Sequence, residues 1–189
     1  MNNTNLQERL DILRQRIQDR DYLEGNGLSN EINIRIFCYD PAKEMTIRHF
    51  IDQLLADPTL DCHPIELNLY RIFIGVCEEL DILDSIVEME EQDGSDYVLE
   101  QLHCAVGEDE YIASMRETVG TPKTGDILIL TGVGDVFPFM RVHKILEAMQ
   151  PHFTNVPILV MYPGSFDGTT LQLFDTLCPN PYYRAFDAV

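Results

Sequence analysis

A chain of 189 residues, 45% hydrophobic and 24% charged, is long and apolar enough to bury a core as one domain, which excludes a disordered or fibrous protein. Thirteen Lys and Arg stand against 32 Asp and Glu, a net charge of -19, so the surface repels phosphate backbones and anionic headgroups. Direct binding to nucleic acid or to a membrane is therefore not expected.

Leu6, Leu10, Leu13 and Ile17 recur at spacings of four, three and four behind a Thr4-x-x-Gln7 capping box, which predicts an amphipathic helix over 4–22, ended by Gly25 and Gly27. Ile32, Ile34, Ile36 and Cys38 then alternate as a strand that stops at Asp40-Pro41, because the residue before a proline is pushed out of helical conformation. Ile47, Phe50, Ile51 and Leu54 predict a helix over 44–55, and the alternation of Ile65, Leu67 and Leu69 predicts a second strand, completing a βαβ unit.

From Tyr70 to Val119 the periodicity is helical but interrupted, predicting several short helices. No Lys or Arg lies between Arg71 and Arg116, while thirteen Asp and Glu do, among them Glu88, Glu90 and Glu91. The ordinary reading of such a run is a solvated face, and the functional one is docking on a basic partner. Mimicry of DNA would spread acid over more of the chain.

Thr118 to Gly125 is a linker by composition. Asp126 to Thr131 and Val156 to Tyr162 are continuous apolar runs, the pattern of strands buried on both faces of a parallel sheet. Residues 136–149 carry a helical stripe of Phe139, Val142, Ile145, Leu146 and Met149. A further helix is predicted over Thr169 to Leu177, and a last strand over Tyr182 to Phe186. The alternation predicts an α/β fold, Rossmann-like, with a mostly parallel central sheet of four to five strands flanked by helices and an acidic helical insert near 70–119, all within one domain spanning 1–189.

In such sheets function gathers at the carboxyl ends of the strands. The candidate residues for a ligand or partner pocket are Asp40 after the first strand, Thr131, Gly132, Gly134 and Asp135 after the third, Tyr162 and Asp167 after the fourth, and Arg141 and His143 on the intervening helix. None completes a known chemical set. The loop Gly132-Val133-Gly134 lacks the third glycine of a dinucleotide fingerprint, where Phe137 stands, and no GxxxxGK[ST] phosphate loop occurs. Asp135 suits a helix cap but places negative charge where a phosphate would sit.

Gly164-Ser165-Phe166 is not a nucleophile elbow, since Asp167 occupies the required glycine position. The histidines show neither HxxxH nor HExxH spacing, and Asp40, Asp135 and Asp167 would hold a cation only by converging from three loops. No catalytic, cofactor or metal residue is assigned on these grounds. A nucleotide or phosphate ligand at the glycine loop remains the enzymatic or sensory alternative. The five cysteines, Cys38, Cys62, Cys77, Cys104 and Cys178, form no CxxC pair, and the polar N-terminal stretch is no signal peptide, so a soluble cytoplasmic protein with reduced thiols is expected.

Four ordered blocks carry a resemblance. They are Gly27 to Ile32 with Phe37 to Pro41, Leu130 to Phe139 with Arg141 and His143, Tyr162 to Gly168 with Leu171 and Phe174, and Tyr182 to Phe186. Together they resemble the BrxB family, a small core component of the bacteriophage-exclusion (BREX) defence systems of bacteria. The resemblance implies a place in a multi-protein machine that methylates host DNA and blocks phage, beside a methyltransferase, a large ATPase and the alkaline-phosphatase-like protein PglZ. It further implies an adaptor without catalytic activity, with PglZ as direct partner and a homodimer left open. The family pattern at Asp40, Arg141, His143 and Asp167 carries over as motif, without assigned chemistry.

Overall fold

A computed structural model describes residues 5–24, 33–182 and 185–189. The first helix is split in two, α1 (Leu6–Arg16) and α2 (Arg20–Glu24), rather than running unbroken over 4–22. Ile17 closes α1, and Gln18 and Asp19 tighten the turn by bonding back to Gln15 and Arg16. Asn5 caps α1, its Oδ1 accepting from the Gln7 amide at 3.3 Å, whereas Thr4 of the expected capping box lies outside the described residues, as do Gly25, Gly27 and Ile32.

β1 (Ile34–Tyr39) ends where expected, and Asp40 caps a single 3-10 turn leading into α3 (Glu44–Ala56), whose Ile47, Phe50, Ile51 and Leu54 are buried. β2 (His63–Asn68) follows. The acidic stretch folds as four short helices, α4 (Leu69–Glu79), α5 (Leu83–Asp93), α6 (Ser95–Ala105) and α7 (Glu108–Val119). Next come β3 (Asp126–Thr131), α8 (Val133–Val136), α9 (Val142–Met149) and β4 (Ile158–Phe166), then the short strands β5 (Thr170–Leu173), β6 (Asn180–Pro181) and β7 (Phe186–Asp187).

Three expectations are corrected here. The helix over 136–149 is interrupted, because Phe137 before Pro138 adopts an extended conformation, leaving α8 and α9 separated. The segment over 169–177 is a strand and not a helix: Leu171 and Leu173 point into the core with Gln172 between them, a period of two, and the chain then turns at Phe174 and Asp175, both with positive φ. The last strand over 182–186 falls instead at Phe186–Asp187, with β6 ahead of Tyr182, and Tyr183 and Arg184 lie outside the described residues.

Five strands run parallel in the order β2-β3-β4-β1-β7, with Ile158 of β4 opposite both Ile34 of β1 and Leu128 of β3. β4 continues past this sheet and pairs antiparallel with β5, which pairs antiparallel with β6. The chain steps from β1 outward to β2 and then returns through β3 to β4. Right-handed crossovers therefore put α3 on one face and α4–α9 on the other. The two cores follow this division. Phe37, Ile127, Ile129, Leu159 and Met161 pack with α1 and α3, while Ile36, Leu128, Leu130, Ile158 and Val160 pack with α4, α6, α7 and α9. β3 and β4 are buried on both faces, which is why their sequences read as unbroken apolar runs.

Candidate functional site

The carboxyl ends of the parallel strands carry two sets of polar contacts, one at Thr131 and one at Asp135. The Thr131 hydroxyl donates to Glu66 Oε1 at 2.5 Å. Gly132 follows at φ 67, where a Cβ would stand 2.7 Å from Asn68 Oδ1. Asn68 caps α4 by accepting from the Arg71 amide at 3.0 Å, so the glycine makes room for a helix cap. A Cβ on Gly134 would meet the Phe174 ring at 2.9 Å, so this glycine admits the C-terminal segment.

Asp135 Oδ2 accepts from Arg48 Nη2 at 2.5 Å, Arg48 Nε donates to Glu44 Oε1 at 2.9 Å, and Glu44 Oε2 accepts from the Tyr39 hydroxyl at 2.5 Å. Burial, then the hydrogen bond to Glu44, pushes the Tyr39 phenol well above its ordinary range. A cleft of about 120 Å3 lies beside these groups, between α3 and the ends of β2 and β3, with Arg71, Glu66 and Asp52 also on its wall.

Asp40 and Asp167 stand apart from both sets. Asp40 accepts from the Ala42 amide at 2.9 Å. Asp167 Oδ1 accepts from the Thr169 amide and hydroxyl, each at 2.8 Å, and from the Thr170 amide at 2.7 Å, bonds that hold its carboxyl below the ordinary range. With Asp135 engaged by Arg48, the three acids do not converge. Among the described residues no three His, Cys, Asp or Glu side chains are grouped to hold a metal ion.

Arg141, His143 and Tyr162 come together at a second place, a cavity of about 180 Å3 between the α8–α9 connection and the β5–β6 segment. Its walls are largely aliphatic, with Val133, Met140, Leu171, Leu173 and Leu177. His143 is half-buried, and its pKa is lowered by that burial, with Arg141 and Lys144 adding to the effect and Glu147 opposing it. Burial raises the Tyr162 phenol, as do Cys38 and Asp175 nearby. Eight of the nine expected residues thus divide between a charged cleft, an apolar cavity and two capped turns, and Gly134 packs against Phe174.

Sequence reasoning missed Glu44, Arg48 and Glu66 in the charged cleft. The spacing of Glu44 and Arg48, four apart on one helix, was the available local signal. Nothing local marks Glu66, whose partner lies on the neighbouring strand.

The acidic helices are the third notable surface. α5 has no buried residue, and Val87 is 64% exposed, with Leu80 and Tyr97 also exposed. Glu88 accepts from Gln92 and Glu90 from Ser95, both uncharged donors. Among the described residues the one acid between 78 and 110 that pairs with a basic side chain is Glu108, 3.3 Å from Lys144.

A family model described as BREX protein BrxB matches residues 65–188, which span the acidic helices and the apolar cavity. The chain belongs to the BrxB family. BREX protein BrxB of Bacillus cereus (strain H3081.97) is 36% identical over 192 residues, covering 97% of each chain. BREX protein BrxB of Escherichia coli O9:H4 (strain HS) is 31% identical over 185 residues, covering 97% of this chain and 92% of that one. No solved structure matches. Membership in the BrxB family makes the chain a protein of a BREX phage-defence system and agrees with the four sequence blocks. Among the described residues no helix is long and apolar enough to cross a membrane.

Proposed function

We propose that this protein is a non-catalytic, cytoplasmic adaptor of a BREX complex, docking through the acidic face of α5 and α6 on a basic surface of PglZ and so supporting host-DNA methylation and phage restriction. The observation that carries this reading is that α5 packs on the core through the half-buried Leu83, Ile86 and Met89 and leaves Val87 exposed, while its acids meet no basic side chain among the described residues. An eleven-residue helix gains little from propensity alone, and helices of that length take most of their stability from packing. The exposed Val87 of α5 and Tyr97 of α6 supply apolar area on these two helices. The acids around them favour rapid association with a positive partner.

The test is co-purification of the intact chain with PglZ at low and high salt, repeated with Glu88→Lys, Glu90→Lys and Glu91→Lys combined. A stoichiometric complex that weakens with salt and is lost on charge reversal supports the reading. A complex indifferent to the reversal removes the acidic face from it, and recovery of a homodimer alone removes PglZ. A nucleotide or phosphate ligand at Gly132 to Asp135 is less well supported, because Asn68 and Phe174 occupy the space beside both glycines and Asp135 holds a negative charge there. It would show as thermal stabilisation of about 2.7 kcal/mol at 100 times the Kd.

A further inference from the structure

The cavity beside Arg141 shares no residue with the docking surface just described. Its volume of about 180 Å3 slightly exceeds the roughly 150 Å3 of an apolar cavity that takes up benzene, and falls short of the roughly 300 Å3 at which sites for larger ligands begin. The space suits one ring or one branched aliphatic group, and Leu171, Leu173 and Leu177 offer such a group an apolar wall.

Two polar groups give the space a direction. Tyr162 is 2% exposed and lines the cavity, and its hydroxyl has no hydrogen-bond partner among the described residues. The hydroxyl opens on the cavity, where it can donate to an acceptor. Arg141, exposed at the rim, forms no ion pair among the described residues, so its guanidinium is available to an anion on a chain whose charge is otherwise strongly negative. Glu147 and Asp175 act electrostatically on His143 and Tyr162. Their charge disfavours a dianion such as a phosphate monoester more than a single carboxylate.

We propose that this cavity binds an organic monocarboxylate with an apolar body of one ring or one branched chain, the body lying against Leu171, Leu173 and Leu177 and the acid group engaging Arg141, with the Tyr162 hydroxyl as a second donor. Two sources share this chemistry: a free small carboxylate, and the C-terminal residue of a protein chain ending in a large apolar side chain.

The test titrates the intact, isotope-labelled protein by NMR with 3-phenylpropionate, 4-methylpentanoate, a tripeptide ending in a free phenylalanine carboxylate, and the amide of each. For ligands of this size saturable binding is expected at about millimolar Kd or below, with shifts at Leu171, Leu173 and Tyr162. The amides should fail, Arg141→Gln should weaken binding about tenfold or more, and Tyr162→Phe should weaken it several-fold. Leu177→Trp should block it by filling the space. Alkylation of Cys178, which lines the cavity, gives an independent reading on the unmodified protein and should slow in the presence of the acid. Binding of the free acids without the peptide identifies a small-molecule site, and tighter binding of the peptide identifies a chain terminus. Absence of saturable shifts with every acid, equal binding of acid and amide, or binding unchanged by Arg141→Gln overturns the proposal.

Discussion

Arg48 Nη2 and Asp135 Oδ2 meet at 2.5 Å across the carboxyl end of the sheet, the first from α3 on one face and the second from α8 on the other. The contact joins the two helical layers that flank the sheet. Both side chains remain in contact with water, 46% and 39% exposed, so the pair is worth what surface pairs are worth. Asp135→Asn and Arg48→Gln should each cost about 1 kcal/mol or less, with a coupling energy of about 0.2–1 kcal/mol in a double-mutant cycle by urea unfolding. A coupling near zero would mean that the contact does not persist in solution.

The two glycines of the β4–β5 hairpin should respond very differently to alanine. Gly164 has φ 152, and a Cβ there would stand 2.2 Å from the Gln172 carbonyl oxygen of the paired strand. Gly168 has φ 94 and open space around it. Gly168→Ala should cost about 1–3 kcal/mol of backbone strain, and Gly164→Ala should exceed it by at least about 1–3 kcal/mol from overlap. Calorimetry on both variants decides, and equal losses would count against the hairpin.

Reversing charge on α5 should leave the isolated protein intact. Glu88, Glu90 and Glu91 are exposed and form no ion pair among the described residues, so Lys at all three positions should change unfolding free energy by no more than about 0.5 kcal/mol per site. A melting temperature close to that of the parent chain makes loss of a partner attributable to the surface. A collapse in stability would show instead that the acids support the fold.

Acid should weaken the fold in two stages. The His143 pKa lies below its ordinary value of about 6.5 because the ring is half-buried, so on acidification the unfolded chain takes up this proton before the folded one. Stability contributed by neutral His143 is therefore present above that pH and is lost as pH falls towards the folded value. His143→Gln should flatten this stage in urea unfolding followed against pH. The second stage lies at and below the ordinary carboxylate range, where Asp167, held down by the amides of Thr169 and Thr170, and Glu108, held down first by its own backbone amide and then by Lys144, are protonated. A profile unchanged by His143→Gln would show that its ring is fully hydrated in solution.

The thiols should separate by burial. Cys104 and Cys178 are exposed, whereas burial pushes the Cys38 thiol up to about 12 and that of Cys62 up to about 11, leaving little thiolate at neutral pH. Under native conditions a thiol reagent followed by peptide mapping should label Cys104 and Cys178 first. Early labelling of Cys62 or Cys77 would contradict the packing of α3 and α4.

The parallel sheet was readable because β3 and β4 are buried on both faces and leave long apolar runs, and because α3 and α9 bury one clean stripe each. The hairpin was not readable for a specific reason. Leu171, Leu173, Phe174 and Leu177 fit a helical spacing, yet Leu171 and Leu173 follow the two-residue period of a strand, Phe174 sits within a turn that it and Asp175 make at positive φ, and Leu177 reaches the core only after that turn. Gly164, whose conformation lets β4 run on to meet β5, was the missed signal.

The candidate site was legible as positions and not as partners. Thr131, Asp135 and Tyr162 fall at or just past the carboxyl ends of the parallel strands as the fold rule requires, and Arg141 stands at the start of α9. Their separation into a charged cleft and an apolar cavity depends on Arg48, Glu66 and Leu173, which reach the sites through tertiary packing that no local spacing records.

The strand order also constrains the protein's synthesis. β4 lies between β3 and β1, and β7 at the end of the chain pairs with β1 near its beginning, where Arg16 Nη1 also donates to the Ala188 carbonyl at 2.9 Å. A nascent chain that has not yet delivered residues 158–166 past the ribosomal tunnel holds β1 with neither of its sheet neighbours. The edges of β1 and β3 that β4 covers must therefore wait, exposed, until residues 158–166 have been made.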